Sequence, residues 1–181
     1  MEPTITQKFV GLDNYFKVAT FLEAAEIPRG EMARPEEINI ERSARLIVEE
    51  FGELQRALDK LRQRFDFPAL IEVADALADL EYVINNMHHD LGLPAMEIFN
   101  AVHENNLTKL HKCSHCQGSG CAICNNRGCV IIKNAAGKVL KPEGYKSVNL
   151  APILYAEYQR SIARCQGDSP TLPEEQQKSQ E

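Results

Sequence analysis

The sequence predicts an all-α protein, four-helix-bundle-like, that carries a small Cys-rich loop and a β-hairpin as an insertion. Three observations lead there. Before residue 111, apolar residues recur at helical spacing in four successive stretches, separated by Pro or Gly. Five of the six cysteines fall between Cys113 and Cys129, in a Gly- and Asn-rich stretch without helical period. The apolar runs Val130-Ile131-Ile132 and Val139-Leu140 flank Asn134-Ala135-Ala136-Gly137, a hairpin-turn composition.

The first helix is expected from Tyr15 to Ala25, with Phe16, Val18, Ala19, Phe21, Leu22 and Ala25 on its apolar positions, and Pro28-Arg29-Gly30 beyond its end. A polar connector runs through Pro35. Helix two is expected over Ile38 to Phe65, striped by Leu46, Ile47, Leu54, Ala57, Leu58 and Leu61. Pro68 marks the turn into helix three, Ala69 to His89, which is apolar on nearly every side and therefore reads as buried. Leu91-Gly92-Leu93-Pro94 turns the chain into helix four, Ala95 to Leu110. Packing of helices two, three and four would supply the core. A last helix is expected near Pro152 to Arg164. The domain reading is a helical catalytic core over 1–111, a zinc-binding insertion and hairpin over 112–141, a segment returning to the core over 142–165, and a disordered tail over 166–181, rich in Gln, Glu, Ser and Pro.

Composition narrows the function. The 181 residues are 44% hydrophobic and 25% charged, which is globular, and the net charge of −6 argues against a protein that coats DNA or RNA through clustered cations. No apolar run reaches the roughly 18 residues of a membrane span. Met1-Glu2-Pro3-Thr4 has neither the basic start nor the apolar stretch of a signal peptide, so the expected location is the cytoplasm. Cysteines crowded into one loop of such a protein suggest a metal, not a disulfide framework.

Acidic residues mark the candidate site. Glu49, Glu50 and Glu53 fall within roughly 100° of helix two, with Glu50 inside the apolar stripe; Glu72, Asp75 and Asp79 fall within about 60° on helix three. In an antiparallel hairpin the two stripes would face each other. Buried carboxylates must be paired or bound to a cation, and too few Lys or Arg share those faces to neutralise them. A divalent metal held by oxygen ligands, Mg²⁺ or Mn²⁺, answers that need.

Glu-Glu-x-x-Glu, then 18 residues, then Glu-x-x-Asp resembles the motif pair of the MazG-like all-α nucleoside triphosphate pyrophosphohydrolases, relatives of phosphoribosyl-ATP pyrophosphohydrolase and dimeric dUTPase. The resemblance covers about residues 9–110 and resumes near 137–152. Arg42-Ser43-Ala44-Arg45-Leu46-Ile47-Val48 leads into the first motif, and Asp75-Ala76-Leu77-Ala78-Asp79-Leu80 continues the second. His103-Glu104-Asn105-Asn106-Leu107-Thr108-Lys109 is similar to a His-x-x-Asn-x-x-Lys segment. Gly137-Lys138-Val139-Leu140-Lys141-Pro142 with Tyr145 resembles the C-terminal segment of the phage and bacterial subgroup.

The resemblance implies hydrolysis of a (d)NTP to a (d)NMP and pyrophosphate by water attack on the α-phosphate. Glu50, Glu53, Glu72 and Asp75 would be Mg²⁺ or Mn²⁺ ligands. Glu49 would be a further ligand or the base that positions the water. Asn106 and Lys109 would contact the phosphates, and Tyr145 would belong to the substrate site. Asp79 would hold a ligand or a base edge, with a structural role as the alternative. A homodimer or homotetramer and a purine preference, dGTP above all, are implied by the same subgroup.

Two Cys-x-x-Cys pairs, Cys113 with Cys116 and Cys121 with Cys124, stand four residues apart, a spacing suited to a structural tetrahedral Zn²⁺ site. The Cys-x-x-Cys-x-Gly-x-Gly portion is similar to the zinc modules of DnaJ-type chaperones. Cys129 competes for the fourth position, with His111 and His115 as lesser candidates. The insertion departs from the usual pyrophosphohydrolase pattern and would order the chain between Lys109 and Tyr145. A contrasting reading is a zinc-ribbon module on a helical scaffold that binds protein or nucleic acid without catalysis. It leaves the acidic stripes unexplained, and the loop offers no aromatic residue for base stacking.

Overall fold

The computed structural model describes residues 13–167. Most of the tail expected to be disordered, and the first residues of the N-terminal region, lie outside them. Five α-helices dominate: α1 Asn14–Ala24, α2 Ile40–Gln63, α3 Phe67–Asp90, α4 Ala95–Leu107 and α5 Ala151–Gln166. Two short strands, β1 His111–Lys112 and β2 Cys129–Val130, lie between α4 and α5. No described helix is long and apolar enough to cross a membrane.

Side-chain caps place the helix starts. Asp13 accepts from the Tyr15 N–H, Asn39 from Arg42 and Asp66 from Ala69, so α2 begins two residues later and α3 two residues earlier than apolar spacing suggests. Pro68 sits in the first turn of α3, where its missing N–H costs nothing.

Contacts divide the chain into two compact units, Met96–Ile153 and the remainder. In the larger unit α2 and α3 form an antiparallel hairpin packed on Leu54, Ala57 and Ala76, flanked by Leu58, Val73 and Leu80. The alanines let the two helices approach closely. α1 also packs against α3. α4, expected in this core, groups instead with the Cys-rich segment.

The burial expected for α3 is a correction. Ile71 is 55% and Leu77 51% exposed, and Val48 and Phe51 on α2 are open as well. α2 and α1 cover only part of α3, and apolar side chains on its remaining face stay exposed among the described residues.

The connector after α1 is tied to the end of α3 by close backbone approach. A Cβ on Gly30 would come within 1.8 Å of the Asp90 carbonyl oxygen, and one on Gly92 (φ +66°) within 2.2 Å of the Gly30 carbonyl oxygen. His89 is fully buried, its Nε2 donating to the Ile27 carbonyl oxygen at 3.2 Å. Arg42 reaches Asp90 at 2.5 Å.

α5 contributes an ion-pair network to this unit. Glu157, 4% exposed, accepts from Arg29 and Arg164 at 2.8 Å each and from Arg160 at 2.7 Å. Burial alone would raise its carboxyl, but the bonds from Arg164, Arg160 and Arg29 outweigh it and hold the group below the usual carboxylate range. Removing a buried member of such a network strands its partners. Glu157→Ala is therefore expected to cost about 2–3 kcal/mol, less than a fully buried pair because the arginines are partly exposed. That corresponds to a fall of roughly 5–10 °C in melting temperature, read by circular dichroism at pH 7. Because the folded value is depressed, this contribution is present above the ordinary glutamate value of 4.5 and fades as pH falls through the lower folded value. The gap between wild type and Glu157→Ala should therefore narrow in acid.

Candidate functional site

The α2–α3 hairpin aligns the acidic residues in register. Lys60 Nζ meets Glu72 Oε2 at 2.5 Å near the turn, and Glu53, Ala57, Asp75 and Ala76 follow along the same seam. An open cleft of about 290 Å³ runs there, lined by Glu53, Arg56, Ala57, Lys60, Glu72, Asp75 and Ala76, at the small end of the range for ligand sites.

Glu50 is half-buried at the far end of this seam. Burial first, then the charges of Glu53, Asp79, Glu49 and Asp75, raise its carboxyl above the usual glutamate range. The facing of the two acidic stripes is thus realised: residues from both helices act on one carboxyl.

Two parts of the expectation are corrected. Glu49, Glu53, Glu72, Asp75 and Asp79 are exposed, not enclosed in an apolar interior, because they project along the rim of the hairpin, uncovered among the described residues. Cations also share the face: Lys60 pairs with Glu72, and Arg56 with Glu53 at 3.5 Å. Arg56 and Lys60 follow Glu53 by three and seven residues, a helical spacing from which both were legible. Exposed pairs of this kind contribute little stability, so a cation of higher charge can displace them.

The carboxylates stand more openly than the cysteines do. Among the described residues, the set of three or more Cys, His, Asp or Glu whose ligand atoms all lie within 4.8 Å of one another is Cys113, Cys116, Cys121 and Cys124. Their sulfurs are 3.9 Å apart for Cys113 and Cys121, and 3.7 Å for Cys116 with Cys124 and Cys121 with Cys124. A tetrahedron of Zn–S bonds of about 2.3 Å has edges of about 3.8 Å, so the donor set fits zinc. Cys129, His111 and His115 fall outside this set.

Backbone amides support the sulfurs. Gly120 N–H donates to Cys116 Sγ at 3.2 Å, and those of Cys121 and Gly128 to Cys124 Sγ at 3.3 Å. Burial would push the Cys124 thiol up, but these two amides together with the Cys121 and Cys116 side chains more than offset it and hold the group down at about 6, as a thiolate ligand requires. The loop is closed by β1 and β2, which pair antiparallel with Lys112 opposite Cys129, and by the Cys113 N–H bonded to the Gly128 carbonyl oxygen at 3.0 Å. The expected hairpin survives as the Lys133–Val139 bridge and the Asn134–Gly137 turn, but Cys129–Val130 pairs backwards across the cysteine loop. Two-residue strands carry too little periodicity to be read from sequence.

The smaller unit holds the other candidates. Lys109 Nζ donates to Asn106 Oδ1 at 2.5 Å and lies 5.7 Å from the centroid of the Tyr145 ring. The Tyr145 hydroxyl donates to Asn105 Oδ1, and Asn105 Nδ2 donates to the Lys146 carbonyl oxygen at 2.8 Å. Asn105 was not singled out from the sequence; it anchors Tyr145, a tie across some 40 residues that no local pattern reveals.

Residues 21–106 match the family model described as phosphoribosyl-ATP pyrophosphohydrolase. The matched span runs from within α1 to the end of α4 and contains every acidic residue of the seam, ending at Asn106 before the cysteine loop begins. No curated protein matches the chain.

Proposed function

We propose, from the match of residues 21–106 to the phosphoribosyl-ATP pyrophosphohydrolase family model, that the protein hydrolyses (d)NTPs to (d)NMPs and pyrophosphate. The family implies nucleotide pyrophosphohydrolase activity in general. The observation that carries the finer reading is Glu50, half-buried and held above its usual range by burial and by four neighbouring carboxylates from both helices. An all-oxygen donor set whose charges repel suits a hard divalent cation, Mg²⁺ or Mn²⁺.

Glu50, Glu53, Glu72 and Asp75 are the proposed ligands. A divalent cation held by them would acidify a water and neutralise charge on the polyphosphate. Glu49 orients the attacking water or adds a ligand, and Asp79 keeps Glu50 in the electrostatic environment that favours cation uptake. Asn106 and Lys109 are the proposed contacts to phosphate oxygens, and Tyr145 a further substrate-binding residue beside Lys109. Lys60 and Arg56 exchange their carboxylate partners for the incoming phosphates. Purine nucleotides, dGTP foremost, are the proposed substrates.

The helical region to residue 111 acts as the catalytic core, and 112–141 as a zinc-bearing insertion that orders the chain between Lys109 and Tyr145. Residues 142–165 lead back to the core, where Glu157 ties α5 to Arg29. The exposed apolar face of α3 supports assembly as a homodimer or homotetramer.

Incubation of the protein with Mn²⁺ or Mg²⁺ and a panel of (d)NTPs is expected to release monophosphate and pyrophosphate in equal amounts, fastest with dGTP, and none in EDTA. Light scattering should give at least twice the chain mass for the active species. Failure of folded protein to turn over any member of the panel rejects the activity, and release of inorganic phosphate instead of pyrophosphate rejects the site of cleavage.

A further inference from the structure

Charge is divided unevenly along the chain. Met96–Ile153 carries seven Lys and Arg residues against three Glu, although the whole protein is at −6. Among the described residues every ion pair falls in the larger unit, and no cation of Met96–Ile153 has an acidic partner.

Two of these free cations are gathered on one ring. Lys141 Nζ lies 4.7 Å and Lys109 Nζ 5.7 Å from the Tyr145 centroid, so the ammonium groups stand within about 10 Å of each other, one Debye length at moderate salt. The ring quadrupole attracts each cation but does not cancel their mutual repulsion. The cluster is anchored from behind: Asn105 holds the Tyr145 hydroxyl and the Lys146 carbonyl, while Asn106 holds Lys109. Ammonium groups donate only, and act as point charges toward phosphate oxygens. With both ammoniums over the ring, Tyr145 is not a platform for a base.

We propose that Lys141 is a phosphate-binding residue that, with Lys109 around Tyr145, forms a polyphosphate subsite recognising charge and not the base. Naming the ligand as the substrate's polyphosphate rests on the pyrophosphohydrolase reading. The site itself rests on the two ammoniums and their shared ring. A ligand with several linked phosphates engages both cations, whereas a single phosphate engages one.

The test uses the zinc-loaded full-length protein, without Mg²⁺ or Mn²⁺, titrated with inorganic tripolyphosphate by calorimetry at low salt. Wild type is expected to bind, more tightly than it binds orthophosphate, and to weaken as salt rises. Lys141→Gln should lose about tenfold or more in affinity, as for removal of a charged hydrogen-bond donor. Lys141→Arg should recover most of it, and Lys138→Gln should stay within about twofold of wild type. Wild type that does not bind, Lys141→Gln that binds like wild type, or Lys138→Gln that loses as much as Lys141→Gln each overturns the proposal, the last by showing only a diffuse basic surface. A protein that binds tripolyphosphate through Lys141 yet cleaves no (d)NTP rejects the activity and keeps the subsite. An active enzyme whose KM is the same in Lys141→Gln rejects the subsite and keeps the activity.

Discussion

Glu50→Gln is expected to cut pyrophosphate release by about 100-fold or more, because the cation that would acidify the attacking water loses one of its proposed ligands, while the metal-free protein melts slightly higher than wild type. The two effects share one cause. Burial and the charges of Glu53, Asp79, Glu49 and Asp75 raise the Glu50 carboxyl, so the folded protein keeps that proton to higher pH than the unfolded chain does. Ionising Glu50 therefore costs stability. The cost is absent below the ordinary value of 4.5, grows as pH rises toward the folded value, and is full above it. Glutamine removes the ionisation and keeps the shape. Solvent screening limits the gain to under about 1 kcal/mol, or roughly 1–3 °C, read from melts in EDTA at pH 5 and pH 8. The difference between the two proteins should be larger at pH 8. Mn²⁺ should then raise the wild-type melting temperature more than that of Glu50→Gln, because wild type has one more carboxylate to hold the cation and more repulsion for it to relieve. Undiminished turnover by Glu50→Gln would reject its place in the site, and a wild-type melt indifferent to Mn²⁺ would reject the metal.

Cys124→Ser is expected to bring bound zinc from one ion per chain to almost none, with the segment 113–129 losing amide protection and the helical signal of α2 and α3 persisting. Cys124 is buried, receives two backbone N–H bonds on sulfur, and is held near 6 by these and by the neighbouring Cys121 and Cys116 side chains, so it is ready to act as a thiolate. Structural zinc sites of this type bind with apparent free energies of about 10–16 kcal/mol, and the loop has little else to order it. Within 113–129 the buried side chains are Cys113 and Cys124 themselves. Cys129→Ser supplies the contrast: Cys129 lies outside the four-sulfur set, so this variant should keep its full zinc content. Elemental analysis of the purified proteins decides between them. Zinc retained in Cys124→Ser, or lost in Cys129→Ser, would reassign the ligands.

Much of the architecture is written in local pattern. Apolar spacing locates all five helices, and the two Cys-x-x-Cys pairs name the four sulfurs that converge. The acidic spacing on α2 and α3 correctly puts Glu50 near Asp75 and Asp79, because angular position on a helix follows from residue number alone. Helix ends are less legible. Asn39 and Asp66 move the starts of α2 and α3 by two residues through single hydrogen bonds that apolar periodicity does not sense.

Sequence by itself determined which side chains share a face, and so which carboxylates and which thiols can act together. Only the tertiary structure decided what covers those faces. An all-round apolar α3 was expected to be enclosed, yet one chain brings α2 and α1 to part of its surface and leaves Ile71 and Leu77 open. β2 turned out to pair with β1 across the cysteines, and Lys141 to share a ring with Lys109. Each of these depends on contacts between residues distant in the chain or on how far a flexible side chain reaches. Periodicity carries direction, whereas burial and long-range pairing depend on which other segments arrive, and that is a property of the folded whole.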